Sequence, residues 1–251
     1  MMCCREIISY PYFVHLPQLY GFGEKFTMRS LWVTISELDY PRVEIKRIKI
    51  GGDKMENKKK IRLALIGAGA MANKMHYPCL REFPDVEMAG ICDLVKSKLK
   101  ATAEKFHIEK TFTDYKKMLD KIEPDATYIL MPPHHIFDLV IECLNRRLHI
   151  FIEKPPGVTA EQTRNMARLA EKNNCLTMVG FQRRFCPVIV EARKRVAQRG
   201  PIIQCAARFM KNYFAGPYYD GAIDILTSDA IHAVDVLRWI GGEVKKVSSK
   251  R

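Results

Sequence analysis

Several patterns that define whole classes of protein are missing from this sequence. No apolar run approaches the roughly 18 residues that a membrane-spanning helix needs, so we expect no membrane segment. The eight cysteines include no C-x-x-C pair and no Cys/His cluster with zinc-ligand spacing. They are interpreted as reduced thiols, which are typical of a cytoplasmic protein. The first residues also lack the compact apolar run and cleavage site of a signal peptide.

Composition excludes disorder and narrows the set of partners. Of the 251 residues, 47% are hydrophobic and 27% are charged, which excludes a disordered or collagen-like chain. The net charge is +13, and it leans toward the C-terminal part, where residues 151–251 carry 17 basic and 9 acidic groups. Nucleic-acid-binding proteins more often concentrate such charge in one arm or helix. We therefore expect no nucleic-acid partner.

Residues 1–57 do not resemble the rest of the chain. Prolines and glycines break them into short pieces, with one strand-like stretch at 43–50. One interpretation is a small N-terminal extension. The alternative is that Met55 is the true start, because Gly51, Gly52 and Asp53 can be back-translated into a purine-rich ribosome-binding sequence. The codons at these three positions decide between the two hypotheses.

From residue 58 onward, short apolar runs alternate with helix-like segments. This alternation predicts an α/β fold with a parallel sheet covered on both faces. The six predicted strands are 61–66, 86–92, 111–113, 126–131, 148–152 and 175–180. After residue 180 the rhythm changes to helices at 185–198 and 225–240, a loop at 211–224, and strand-like stretches at 202–210 and 244–248.

The pattern Gly67-x-Gly69-x-x-Ala72 lies between the first strand and a helix. At this place it is typical of a dinucleotide-binding turn. Gly67 permits the tight turn, Gly69 lets the backbone approach a pyrophosphate, and Ala72 allows close packing of the helix on the strand. The intervening Ala70 and Met71 would lie at the helix N-terminus, which attracts phosphate. A small-residue turn in another α/β fold is the alternative.

Asp93 ends the second strand, where its carboxylate can hold the adenosine ribose. A carboxylate repels a 2′-phosphate, so Asp93 favours NAD over NADP. Lys96 and Lys98 follow closely and leave NADP open.

Two groups of residues follow later strands. Glu153, Lys154 and Pro155 come after the fifth strand, at the sheet edge where α/β proteins bind ligands. Lys154 is thereby predicted to lie near the nicotinamide, where its ammonium can stabilise a developing alkoxide. A surface lysine is the alternative. Pro132 and His134 follow the fourth strand and are expected to line the cofactor cleft, with no third ligand for a metal.

His232 is the candidate proton acceptor. On a helix it shares a face with Ser228 and Asp235, whereas Asp229 is expected to point elsewhere. Histidine suits proton transfer to or from an alcohol, although a helix histidine is more often structural. Arg183 and Arg184 are candidates for binding an anionic substrate group, and the alternative is a solvated basic turn.

Together these motifs resemble the glucose–fructose oxidoreductase/inositol dehydrogenase family over about residues 60–247. The resemblance rests on Ala64 to Gly69, Asp93, Pro132 to His134, Glu153 to Pro155, Gly180 to Phe185 and His232 to Asp235. It implies a Rossmann NAD(P)-binding domain at 58–178 and the beginning of an α+β open-sheet domain at 179–251. It also implies oxidation or reduction of a secondary alcohol of a sugar, polyol or sugar derivative, homo-oligomers, and active-site roles for Lys154 and His232.

The sequence departs from the family in two ways. Ser228 stands where the family often has an aspartate four residues before the histidine, so Asp229 is kept as a candidate substrate residue. Members of the family also run well over 300 residues, so the chain resembles a C-terminally truncated member. These departures leave two alternatives open: a non-catalytic dinucleotide-binding protein and an inactive fragment.

Overall fold

The computed structural model of the chain describes residues 60–210 and 218–248. The predicted extension at 1–57, with its strand at 43–50 and the Met55 start, lies outside the described residues. So does most of the loop predicted at 211–224. Among the described residues, no helix is both long enough and apolar enough to cross a membrane.

Six strands form one sheet in the order β3-β2-β1-β4-β5-β6, and every neighbouring pair is parallel. The strands are β1 (Ile61–Ile66), β2 (Val86–Cys92), β3 (Thr111–Phe112), β4 (Ala126–Ile129), β5 (His149–Ile152) and β6 (Thr177–Val179). The strand order reverses between β1 and β4, which is the doubly wound topology of dinucleotide-binding domains. The prediction of a Rossmann-type α/β fold is confirmed.

Helices connect the strands and cover both faces of the sheet. They are α1 (Tyr77–Arg81), α2 (Lys96–Phe106), α3 (Tyr115–Ile122), α4 (Ile136–Asn145), α5 (Ala160–Lys172), α6 (Pro187–Gln198) and α7 (Ile231–Gly241). Short turns of other helical types precede several of them: π-helical at Ala72–His76 and Leu226–Ala230, and 3-10 at Pro133–His135, Gln182–Phe185 and Tyr218–Gly221.

Alternation along β1 divides the core into two halves. Successive side chains of a strand point to opposite faces, so Leu63 and Leu65 pack with α1 and α2. Ala64 and Ile66 pack on the other face with α3, α4 and α5. The strands therefore appear in the sequence as continuous apolar runs, which is the pattern of a sheet buried on both faces.

Two strand predictions are wrong. Residues 201–210 and 242–248 contain no strand, and Ile203, Met210 and Val247 are exposed. Their alternation resembles that of a strand, but a strand needs a neighbour to satisfy its backbone hydrogen bonds. Within 60–210 and 218–248, no strand is placed to pair with either segment.

The N-cap of α3 yields a stability prediction. The Asp114 carboxylate accepts hydrogen bonds from the backbone N–H groups of Lys116 and Lys117. Asp114→Ala should lower the free energy of unfolding by about 1 kcal/mol, because these N–H groups lose their partner. Asp114→Asn, which keeps an acceptor oxygen, serves as the control in urea unfolding. Equal losses in both variants would contradict the capping role.

Candidate active site

The turn after β1 requires glycine at its first position. Gly67 has φ +109°, and a Cβ there would overlap the carbonyl oxygen of Leu130. Its N–H donates to the Cys92 carbonyl at 2.9 Å, and its own carbonyl accepts from the Tyr77 hydroxyl. Burial, with a smaller effect of Asp93, raises the pKa of Tyr77 and keeps this hydroxyl protonated as a donor.

The next positions are open where a ligand would approach. A Cβ on Gly69 would meet no atom within 4 Å. Ala70 and Met71 are exposed, with Met71 at 51% exposure, whereas Ala72 is buried in the core. The structure thus places Gly67 in the turn, Ala72 in the packing, and Gly69 to Met71 on the open surface.

Asn73 is a turn residue that the sequence analysis missed. Its Nδ2 lies 3.1 Å from each of the Ala68 and Gly69 carbonyl oxygens and 2.9 Å from Thr102 Oγ1. The side chain therefore holds two carbonyls of the glycine turn against α2. An amide side chain next to Ala72 was the only signal in the sequence, and its partner Thr102 lies 29 residues away.

Asp93 lies beside the same turn, at the end of β2. Its Oδ2 accepts from the Ala68 N–H at 2.7 Å, and its Oδ1 accepts from the Val95 N–H at 2.8 Å. An ionised carboxylate has about four acceptor positions, so these bonds fix Asp93 and leave capacity for a ligand. Lys96 and Lys98 are exposed on the helix that follows.

The end of β4 contributes Pro132 and His134. Pro132 is partly buried and His134 is exposed. The His134 ring lies 5.5 Å from that of Tyr219, so the 3-10 turn at Tyr218–Gly221 reaches this part of the sheet edge. Within 60–210 and 218–248, no three His, Cys, Asp or Glu side chains are grouped to hold a metal ion.

Glu153 is fixed from three sides at the end of β5. Its Oε1 lies 2.9 Å from His76 Nε2, and its Oε2 accepts from the Lys154 N–H at 3.1 Å. A Cβ on Gly180 would come within 2.9 Å of Oε1, so any larger residue there would require this carboxylate to shift. The peptide between Lys154 and Pro155 is cis. The sequence analysis did not anticipate His76.

Lys154 and His232 are brought together through one carbonyl. Lys154 Nζ donates to the Ser228 carbonyl at 2.6 Å, one turn before His232. Ser228, His232 and Asp235 are all buried, as expected for one helix face. Asp229, which was expected to point elsewhere, is buried too. The π-helical turn Leu226–Ala230 explains this difference, because it places more residues in one turn than an α-helix does.

The surroundings of His232 keep its imidazole neutral. The side chain is 6% exposed, and burial lowers its pKa to about 4, helped by the positive charges of Lys154 and Arg183. Among the described residues, neither His232 Nδ1 nor Ser228 Oγ has a hydrogen-bond partner. Buried polar groups are usually paired, so this pair of atoms has capacity for the polar group of a ligand.

The two arginines of the predicted basic turn have different environments. Arg184 forms an ion pair with buried Asp235, with Nε 2.7 Å from Oδ2, so it fastens the turn to α7. Arg183 is exposed and lies over the Phe209 ring at 5.8 Å. Arg183 therefore remains a candidate substrate residue, whereas Arg184 has a structural partner.

The sheet order and the glycine turn together define a dinucleotide-binding Rossmann domain. In a comparison with known families, residues 61–181 match the oxidoreductase family with an NAD-binding Rossmann fold, GFO_IDH_MocA.

Individual relatives are sugar and polyol enzymes. D-glucoside 3-dehydrogenase of Escherichia coli is 32% identical over 155 residues, which cover 60% of this chain and 44% of that protein. Inositol 2-dehydrogenase of Salmonella typhimurium is 25% identical over 73% of this chain and 55% of its own length. The WlbA dehydrogenase of Chromobacterium violaceum, solved with NADH and UDP-GlcNAcA, has a TM-score of 0.63 and 25% identity, and covers 74% of this chain and 57% of that one. The chain spans about half the length of these relatives.

The two glycines of the turn should respond differently to a methyl group. Gly67→Ala should lower the free energy of unfolding by about 2 kcal/mol or more, because the left-handed φ and the Leu130 carbonyl both oppose it. Gly69→Ala should unfold like the wild type, since its Cβ meets open space. Urea titrations of the two variants test this contrast, and equal stabilities would contradict the geometry.

The imidazole of His232 should titrate well below an ordinary histidine. A pKa of about 4, against about 6.5 in the unfolded chain, means that the unfolded state binds more protons between these values. The stability contributed by neutral His232 is therefore lost as pH falls through this range. NMR titration of the ring, assigned with His232→Gln, measures it. A midpoint near 6.5 would contradict the buried, cation-flanked site.

Proposed function

We propose that the protein is an NAD(P)-dependent oxidoreductase that acts on a secondary alcohol of a sugar, polyol or sugar derivative. The observation that carries the proposal is the hydrogen bond from Lys154 Nζ to the Ser228 carbonyl, which holds a cation beside neutral His232. Both groups lie near the ends of the parallel strands, where ligands of such sheets bind. The names of the relatives support the substrate class.

The glycine turn and Asp93 fit a nicotinamide dinucleotide. Gly69, Ala70 and Met71 present open surface for the pyrophosphate, and Asp93 retains acceptor capacity for the ribose hydroxyls. We favour NAD, because the 2′-phosphate of NADP would meet the Asp93 charge. Pro132, His134, Glu153 and Lys154 complete the proposed cofactor cleft. When bound, the cofactor supplies the acceptor or donor of the hydride.

The chain's own residues handle the proton and the developing charge. In alcohol oxidation, His232 accepts the hydroxyl proton, which requires the neutral imidazole that its low pKa provides. Lys154 donates a hydrogen bond to the same oxygen and stabilises negative charge there. In the reverse direction, the protonated His232 returns the proton to the oxygen. Arg183 and Asp229 are the proposed further substrate contacts.

The proposal also covers the domain organisation, the location and the assembly of the protein. We assign residues 58–178 to the cofactor domain, residues 179–251 to part of a substrate and oligomerisation domain, and residues 1–57 to an N-terminal extension. We propose a cytoplasmic protein that forms homo-oligomers and binds a sugar-like small molecule.

A non-catalytic dinucleotide-binding protein is the second candidate. It is favoured by Ser228, which offers a hydroxyl at the position where the family often has an aspartate, and whose Oγ has no partner among the described residues. Cofactor binding without turnover on any glucoside or inositol would favour this second candidate over the enzyme.

Asp93 should set the cofactor preference. Asp93→Ala should weaken NAD binding by about tenfold, since one charged hydrogen-bonding group is lost (about 1.4 kcal/mol). The same change should weaken NADP less or strengthen it, because a repulsive charge is removed. Calorimetric titration of both cofactors tests this, with Glu104→Ala, which removes an exposed carboxylate from the neighbouring helix, as the control. Unchanged NAD affinity would defeat the assigned role.

Lys154 should be needed for turnover and not for folding. Lys154→Ala should lower kcat by about 100-fold or more while leaving the NAD dissociation constant within a few-fold, because it acts on charge that develops at the reacting oxygen. Assays on D-glucosides and inositols measure kcat, with Lys172→Ala on α5 as a surface control. Full kcat in Lys154→Ala would refute the proposed mechanism.

A further inference from the structure

A buried histidine outside the proposed catalytic pair lies against the turn that carries Lys154. His76 ends the π-helical turn Ala72–His76 and is only 1% exposed. Its ring meets Tyr128 edge-on at 5.5 Å and lies tilted against Phe151, also at 5.5 Å. Tyr128 and Phe151 stack on each other at 4.1 Å, so the ring of His76 is held in one orientation.

Both nitrogens of this ring have polar partners. Nδ1 lies 3.2 Å from the Tyr128 hydroxyl, and Nε2 lies 2.9 Å from Glu153 Oε1. An ionised carboxylate only accepts hydrogen bonds, so the proton is on Nε2 and His76 is the donor. In the neutral ring, Nδ1 then accepts from the tyrosine hydroxyl. This arrangement satisfies both nitrogens of the buried ring at once.

The contact continues through Glu153 to Lys154. The second oxygen of Glu153 accepts the Lys154 backbone N–H at 3.1 Å. Gly180 closes the space on the other side of the carboxylate. With one oxygen held by His76 and the other by the backbone of Lys154, the orientation of Glu153 fixes the start of the turn. At the far end of the same lysine, Nζ reaches the Ser228 carbonyl.

We propose that His76 is a positioning residue, which acts through Glu153 to hold the backbone of Lys154 so that its ammonium meets the helix of His232. The inference rests on the proposed function for what Lys154 does there. The contact joins the helical segment after the glycine turn to the end of β5, 77 residues later.

Two substitutions separate this role from simple packing. His76→Gln places an N–H near the position of Nε2 and keeps the donor to Glu153, whereas His76→Asn places it near Nδ1 and loses that donor. Tyr128→Phe is a third variant, which removes the partner of Nδ1 and leaves the Glu153 contact intact. None of the three substitutions adds a charge to the site.

The experiment measures amide hydrogen exchange of Lys154 by NMR in the full chain without cofactor, with the amide of Leu65 in β1 as the reference for global opening. We expect His76→Asn to speed Lys154 exchange at least tenfold relative to Leu65. His76→Gln and Tyr128→Phe should stay within about threefold of the wild type. Equal changes at Lys154 and Leu65, or no difference between Asn and Gln, would overturn the proposal.

Measurements of kcat test whether the position of Lys154 also matters for the proposed reaction. If Lys154→Ala lowers kcat, His76→Asn should also lower kcat, at least tenfold, while its NAD dissociation constant stays within twofold of the wild type. The kcat of His76→Gln should be close to that of the wild type. Unchanged kcat in His76→Asn would overturn the positioning role. If instead Lys154→Ala has no effect, the proposed function fails, and the exchange measurement still decides whether His76 holds the turn.

Discussion

Parallel pairing of all six strands places their carboxyl ends along one edge of the sheet, and the candidate site depends on this constraint. Gly67 follows β1, Asp93 follows β2, and Pro132 lies three residues after β4. Glu153 and Lys154 follow β5, and Gly180 follows β6. Side chains far apart in sequence therefore come together without any long loop.

Backbone contacts hold this edge in one arrangement. The Asp93 carboxylate accepts a hydrogen bond from the Ala68 N–H of the glycine turn, and the Asn73 amide donates to the Ala68 and Gly69 carbonyls of the same turn. The Glu153 carboxylate holds the turn after β5 by accepting a hydrogen bond from the Lys154 N–H. Two of the buried polar atoms that have no hydrogen-bond partner among the described residues, His232 Nδ1 and Ser228 Oγ, lie in the helical segment that Lys154 contacts. The turn on the proposed cofactor side is held by hydrogen bonds, and the two unpaired atoms on the proposed substrate side can bind a ligand, as the proposed oxidoreductase requires.

The sheet could be predicted because its signals are local. Apolar runs indicated the strands, and Gly67 marked a turn that favours glycine. The roles of Asn73 and His76 could not be predicted in this way, because their partners lie 29 and 77 residues away and no local pattern announces them.

In the C-terminal part, a local pattern predicted strands that the structure does not contain among the described residues. The alternation at 202–210 and 244–248 is a local strand signal, but strand formation depends on a neighbour, which is a non-local property. Burial of Asp229 was missed for a related reason: a π-helical turn changes the spacing on which helix-face arguments depend. Predictions from local patterns were confirmed in the sheet, where each strand has a neighbouring strand to pair with.

The proposed function requires that this chain carries a folded dinucleotide-binding site. The most direct test is the unfolding temperature of the full chain as NAD is titrated, since a ligand that binds only the native state stabilises it by mass action. We expect a cooperative transition whose midpoint rises with NAD and follows the binding isotherm. A cooperative transition that stays at one temperature up to millimolar NAD would contradict it.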